Sequence, residues 1–106
     1  MLPPLAYEFP WPWDDLRGEE DYCAQARQTQ KWEAALELGA DHGLVHEGFE
    51  VLAHFSRQDE VLIQAPRDYA MLHLTWAMRY DEHVRVRRLA DWPAVVVEVT
   101  DMAENC

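Results

Sequence analysis

Serine is almost missing from this chain, glycine is sparse, and basic residues are outnumbered more than two to one. The single serine, Ser56, stands in the polar stretch Ser56-Arg57-Gln58-Asp59, without the Gly-x-Ser-x-Gly elbow that exposes a catalytic hydroxyl. Four glycines, at 18, 39, 43 and 48, are too scattered to build a phosphate-cradling loop. Two cysteines, Cys23 and Cys106, supply no Cys-x-x-Cys ligand pair. With no secretion signal they read as free thiols of a reducing compartment. Wholly apolar runs such as Ala94-Val95-Val96-Val97 fall far short of the ~20 residues that span a bilayer. The start, Met1-Leu2-Pro3-Pro4-Leu5, lacks a basic region followed by an apolar one, so it is no signal peptide. The expectation is a cytoplasmic protein without a membrane partner.

What is present points to one folded domain over residues 1–106. A chain of 106 residues buries roughly 60–70% of its unfolded surface, enough to fold without disulfides or metals. Hydrophobic residues make up 49%, with five Trp, four Tyr and three Phe as core formers. Twenty acidic residues against nine basic ones leave a net charge of −11. Such a field repels nucleic-acid phosphates and anionic membranes, and speeds the approach of basic partners. The Arg85, Arg87, Arg88 cluster is too small to reverse that inside so negative a field.

The chain divides into an arm and a core. Residues 1–17 carry Pro3, Pro4, Pro10 and Pro12 interleaved with Tyr7, Phe9, Trp11 and Trp13, which dictates an extended arm. Burying each ring is worth ~1.5–3 kcal/mol, so the arm should lie down on the domain. A helix is predicted from Gly18 to Leu38, with Tyr22, Ala26, Thr29, Trp32 and Leu36 as its apolar stripe and Gly39 as its stop. Residues 40–48 read as a loop. Strands are predicted at 49–55, with Phe49, Val51, Ala53 and Phe55 on one face, then at 60–64, 69–78 and 84–89. Short connections make them an antiparallel meander of three or four strands. Residues 91–104 are ambiguous: Val95, Val97 and Val99 would suit a strand, whereas Asp91 as N-cap and Pro93 in a first turn favour a helix, which is the expectation. The fold class is therefore α+β.

Few residues converge on chemistry. His42 and His46 have one-turn spacing, but the glycines around them and the lack of further ligands argue against a metal. No cofactor or catalytic set is indicated. His54 and His73, by strand alternation, are expected on one sheet face roughly 10 Å apart, where Tyr69 and Thr75 would complete a polar groove. A partly exposed face carrying hydrogen-bonded histidines is the plainer reading of the same pattern.

The stretches Asp41-His42-Gly43-Leu44, Asp59-Glu60-Val61-Leu62 and Tyr69-Ala70-Met71-Leu72-His73-Leu74-Thr75-Trp76 resemble a group of small bacterial proteins. These share a His-Pro-Leu-like loop, an Asp-Asp-Val-Leu-like strand and a Val-His-Leu-Thr-Trp strand. This chain departs at Gly43 and in the arginine-rich segment after Tyr80. In size and acidity the group is similar to immunity proteins, which neutralise a toxin in its producing cell. The resemblance implies an α+β fold with a terminal helix, and a cognate basic toxin facing the acidic surface. The candidate contacts are Trp11, Trp13, Asp14, Asp15, Glu19, Glu20 and Asp21 at the arm–helix junction, with Asp59, Glu60, Asp81 and Glu82 on turns. The rival is a ligand-binding domain or enzyme using the His54/His73 groove. A homodimer through the arm or the exposed sheet face is the alternative to a monomer.

Overall fold

A computed structural model describes residues 6–105. Pro3, Pro4 and the Cys106 thiol lie outside the described residues. The elements run β1 (Trp13–Asp15), α1 (Asp21–Leu38), α2 (Gly43–Glu47), β2 (Glu50–Phe55), β3 (Glu60–Gln64), β4 (Tyr69–His73), β5 (Val86–Leu89) and α3 (Trp92–Glu104). The fold is α+β. All five strands are antiparallel in the order β1-β2-β3-β4-β5, and the strand beyond the expected meander comes from the arm.

Both faces of the sheet are covered, which explains why its strands are so apolar. On one face Ala34 and Leu38 of α1 and Leu44 of α2 pack with Val51, Val61, Ile63, Ala70 and Leu72. On the other, Trp92, Val95 and Val99 of α3 join Trp13 of the arm over Phe55, Leu62, Tyr69 and Met71. Tyr7 and Phe9 pack onto this second cluster, with Tyr7 edge-on to Trp92 at 5.2 Å. The face expected to be open is thus closed by α3 and the arm.

Strand β2 does not keep the predicted single apolar face. Val51 pairs with Ile63 and Ala53 with Leu62, so Leu52 is an extra residue, a β-bulge. The bulge moves the chain by one side-chain step. Phe49 and Val51 enter the α1-side core, whereas Ala53 and Phe55 enter the α3-side core. Val51, Leu52 and Ala53 are consequently all buried. Alternation alone assigns one face per parity, and a single inserted residue exchanges the two.

Helix α1 is rotated from the expected stripe, of which Ala26 packs against the core. Tyr22 and Trp32, placed in the predicted stripe, are exposed. The buried side is Cys23, Gln30, Glu33, Ala34, Glu37 and Leu38. Gly39 stops the helix at φ +88°, and a Cβ there would meet the Tyr80 ring at 2.7 Å. Residues 43–47, expected as loop, form the short α2, whose first turn is capped by His42 Nδ1 accepting from the Leu44 N–H at 3.1 Å. Helix α3 forms as predicted, with the Asp91 carboxylate accepting from the Ala94 N–H at 3.0 Å.

Candidate functional site

Strand β4 stops at His73, five residues before its predicted end at Met78. The reason is a competing set of acceptors on α1. The N–H groups of Thr75 and Trp76 donate to the Glu37 carboxylate at 2.9 and 3.0 Å, and the Met78 N–H donates to Glu33 at 2.9 Å. Glu33 and Glu37 lie one helical turn apart and are only 2% and 0% exposed. Amides bonded to a helix cannot also extend a sheet ladder, so the chain lifts off the sheet. Leu74 marks the departure: its N–H donates to the Asp59 carbonyl at 2.8 Å, and its side chain stays in the core.

Beyond Leu74 the side chains face outward. Trp76 and Met78 both adopt left-handed backbone conformations, with φ of 59° each. For bulky residues this costs on the order of 1–3 kcal/mol apiece. Hydrogen bonds contribute ~0.5–1.5 kcal/mol each, and more where the acceptor is charged, so the amide–carboxyl contacts offset the strain. The result is a pinned loop, 75–80, that displays Trp76, Met78 and Tyr80 to solvent. Aromatic residues and methionine are over-represented at binding interfaces, and strained backbone clusters at functional positions. Tyr80 also walls a depression of about 590 Å³ at the end of α1, with Asp41 and His42 among its other lining residues.

The carboxyl pair beneath the loop has unusual electrostatics. Burial, reinforced by a hydrogen bond to Glu37, pushes the Glu33 carboxyl above its ordinary value, and the Met78 amide partly opposes this. Two buried carboxyl groups, one helical turn apart, thus both hold amides of the same loop.

The sequence-derived groove does not assemble. His54 pairs with Val61 across the ladder, and Val61 belongs to the α1-side core. His73 pairs with Glu60, itself opposite Phe55 of the α3-side core. The two histidines therefore project from opposite faces. The β2 bulge is the cause, because it inverts the parity of every later residue in that strand. Tyr69 is buried beneath α3, with Trp92 at 5.6 Å, and Thr75 stands exposed on the loop. His54 Nε2 lies 3.3 Å from Asp59 Oδ1. His73 Nδ1 is 4.0 Å from Glu60 Oε2, outside hydrogen-bond reach. Burial raises the Glu60 carboxyl, against the pull of His73, Arg85 and Arg87.

The candidate contacts separate into two groups. Trp11 is 74% exposed, with the Arg57 guanidinium over its ring at 4.9 Å. Asp14, Glu19, Glu20 and Asp21 are exposed along β1 and the start of α1, and Glu82 is exposed after the loop. Trp13 is not a surface residue: its ring is buried and its indole N–H donates to the Val99 carbonyl at 3.1 Å. Glu60 lies in strand β3, half-buried, and not on a turn. Asp15 is held by Arg17 at 2.9 Å, and Asp81 accepts from the His83 N–H at 2.9 Å. Asp59 stands in the β2–β3 turn with a left-handed φ of 51°.

Among the described residues no group of three or more His, Cys, Asp or Glu is placed to hold a metal ion, and no helix is long and apolar enough to cross a membrane. Comparison with family models, curated proteins and solved structures returns no match for this chain.

Proposed function

We propose that this chain is a protein-binding module of the immunity type, which occludes a cognate basic toxin in the cytoplasm and performs no catalysis of its own. The observation that carries this reading is the pinned loop, which holds Trp76, Met78 and Tyr80 in solvent from a strained backbone. A rigid apolar display loses little entropy on binding and can act as a hot spot. The charge of −11 supplies the second half: it steers a basic partner toward the surface and sets the association rate. Exposed Asp14, Glu19, Glu20, Asp21 and Glu82 are the steering charges, and Trp11 is a further apolar contact. The histidine groove has lost its geometry, since its two histidines lie on opposite faces of the sheet.

The test is capture of the partner from native lysate by the tagged protein and by its Trp76→Ala/Met78→Ala variant, at low and moderate salt. The parent should retain one basic protein whose toxicity it relieves on co-expression. Kd should weaken on the order of 30-fold in the variant, the equivalent of a ~2 kcal/mol hot spot. A partner held equally by both proteins would remove the loop from the interface. Salt-insensitive association would remove the steering charges.

A further inference from the structure

We infer that Glu33 and Glu37 form a proton-operated latch that holds the 75–80 loop in its display conformation and loosens it when Glu33 ionises. The geometry is direct. Three loop amides, those of Thr75, Trp76 and Met78, terminate on these two side chains, and both side chains are sealed from solvent. With one proton between them, the two carboxyls can bond each other while Glu37 accepts from Thr75 and Trp76 and Glu33 accepts from Met78. Every hydrogen bond is satisfied with a single buried charge. Removing that proton places two negative charges one turn apart where water does not reach, and turns the Glu33–Glu37 bond into repulsion. The left-handed conformations at Trp76 and Met78 are strained, so they persist only while those amides are held.

Among the described residues no basic side chain acts on Glu33, and Arg79 of the loop itself stands exposed. Glu37 is the charged group that acts on Glu33, and the loop presents backbone amides to the pair. At the loop's root stand His54 and Asp59, engaged with each other at 3.3 Å. At its far end Tyr80 packs on Gly39, and the Asp81 N–H donates to the Glu37 backbone carbonyl at 2.9 Å. The latch belongs to the free chain and needs no partner, so it stands or falls separately from the toxin-binding reading.

Amide NMR of the isolated protein from pH 4 to 8 tests it. The Thr75, Trp76 and Met78 amide resonances should move together, with one midpoint above the ordinary glutamate value of 4.5. In Glu33→Gln the side-chain amide can donate to Glu37 and its carbonyl accept from Met78, so the movement above 4.5 should disappear from all three resonances. Resonances that titrate at the ordinary value, that move independently, or that move in Glu33→Gln as in the parent would overturn the latch. Should Glu33→Gln fail to fold, the parent titration decides by itself, because the concerted midpoint either lies above 4.5 or does not.

Discussion

Two tryptophans two positions apart illustrate how residue-scale context decides role. Trp11 and Trp13 belong to the same proline-rich arm, yet one is exposed and the other forms part of the core. Trp13 stacks near Phe55 at 5.1 Å and gives its indole N–H to the last helix at Val99. Trp13→Phe removes this hydrogen bond and part of the buried ring, which should cost ~1–3 kcal/mol in urea denaturation. Trp11→Ala should change stability by no more than ~1 kcal/mol, the value of an exposed cation–π contact with Arg57. Equal effects from the two substitutions would show that the arm is not docked through Trp13. The buried glutamates carry the same lesson. Glu33 and Glu37 look like ordinary solvated helix residues, but with Ala26, Gln30, Ala34 and Leu38 they recur at three- and four-residue steps. That spacing is visible in the chain. What is not visible is that backbone amides wait opposite them.

At the scale of elements, local chemistry predicts helices better than it predicts faces. Helix α3 follows from an N-cap, a first-turn proline and a Val95/Val99 stripe, all present in the sequence. Asp91→Ala removes the cap and should cost ~1 kcal/mol by chemical denaturation, with the dependence on denaturant unchanged. An unaltered midpoint would mean the Ala94 amide finds water at no loss. Strands are less legible where both faces are covered. Every position of β2 from Val51 to Ala53 is apolar, so the pattern carries no sign of which face each occupies, and the bulge goes unannounced. The overrun of β4 has a different cause. Residues 74–78 alternate like a strand, and only the acceptors on α1 divert them.

For the whole molecule, charge and burial act on stability in the same direction at neutral pH. Glu33 and Glu60 are both raised from 4.5 by burial, so the folded state holds protons there that the unfolded chain has lost. Their contribution is complete below 4.5 and falls as pH rises through the folded values. Asp15 behaves oppositely: burial lifts its carboxyl, but three Arg17 interactions outweigh that and lower it from 3.8. Its contribution is present above 3.8 and disappears as pH falls through the lower folded value. Self-repulsion from the net charge of −11 also grows toward neutrality. Thermal unfolding should therefore give a higher Tm near pH 5 than near pH 7.5, with added salt raising Tm most at the higher pH. A Tm that climbs from pH 5 to 7.5 would contradict both causes.

The sequence by itself determined the fold class, the meander, the first long helix and the acidic field, because each follows from local propensity or from composition. Residues 91–104, by contrast, fit strand and helix patterns alike. Helix caps, turn residues and charge act within a few positions and leave their mark in order along the chain. The tertiary structure alone decided the site. Trp76, Met78 and Tyr80 are displayed only because Glu33 and Glu37, some 40 positions earlier, draw three amides off the sheet. His54 and His73 are parted only because one inserted leucine reverses a strand. Both depend on which distant partner a backbone group meets, and backbone groups are chemically identical at every residue, so the side-chain sequence does not record the choice.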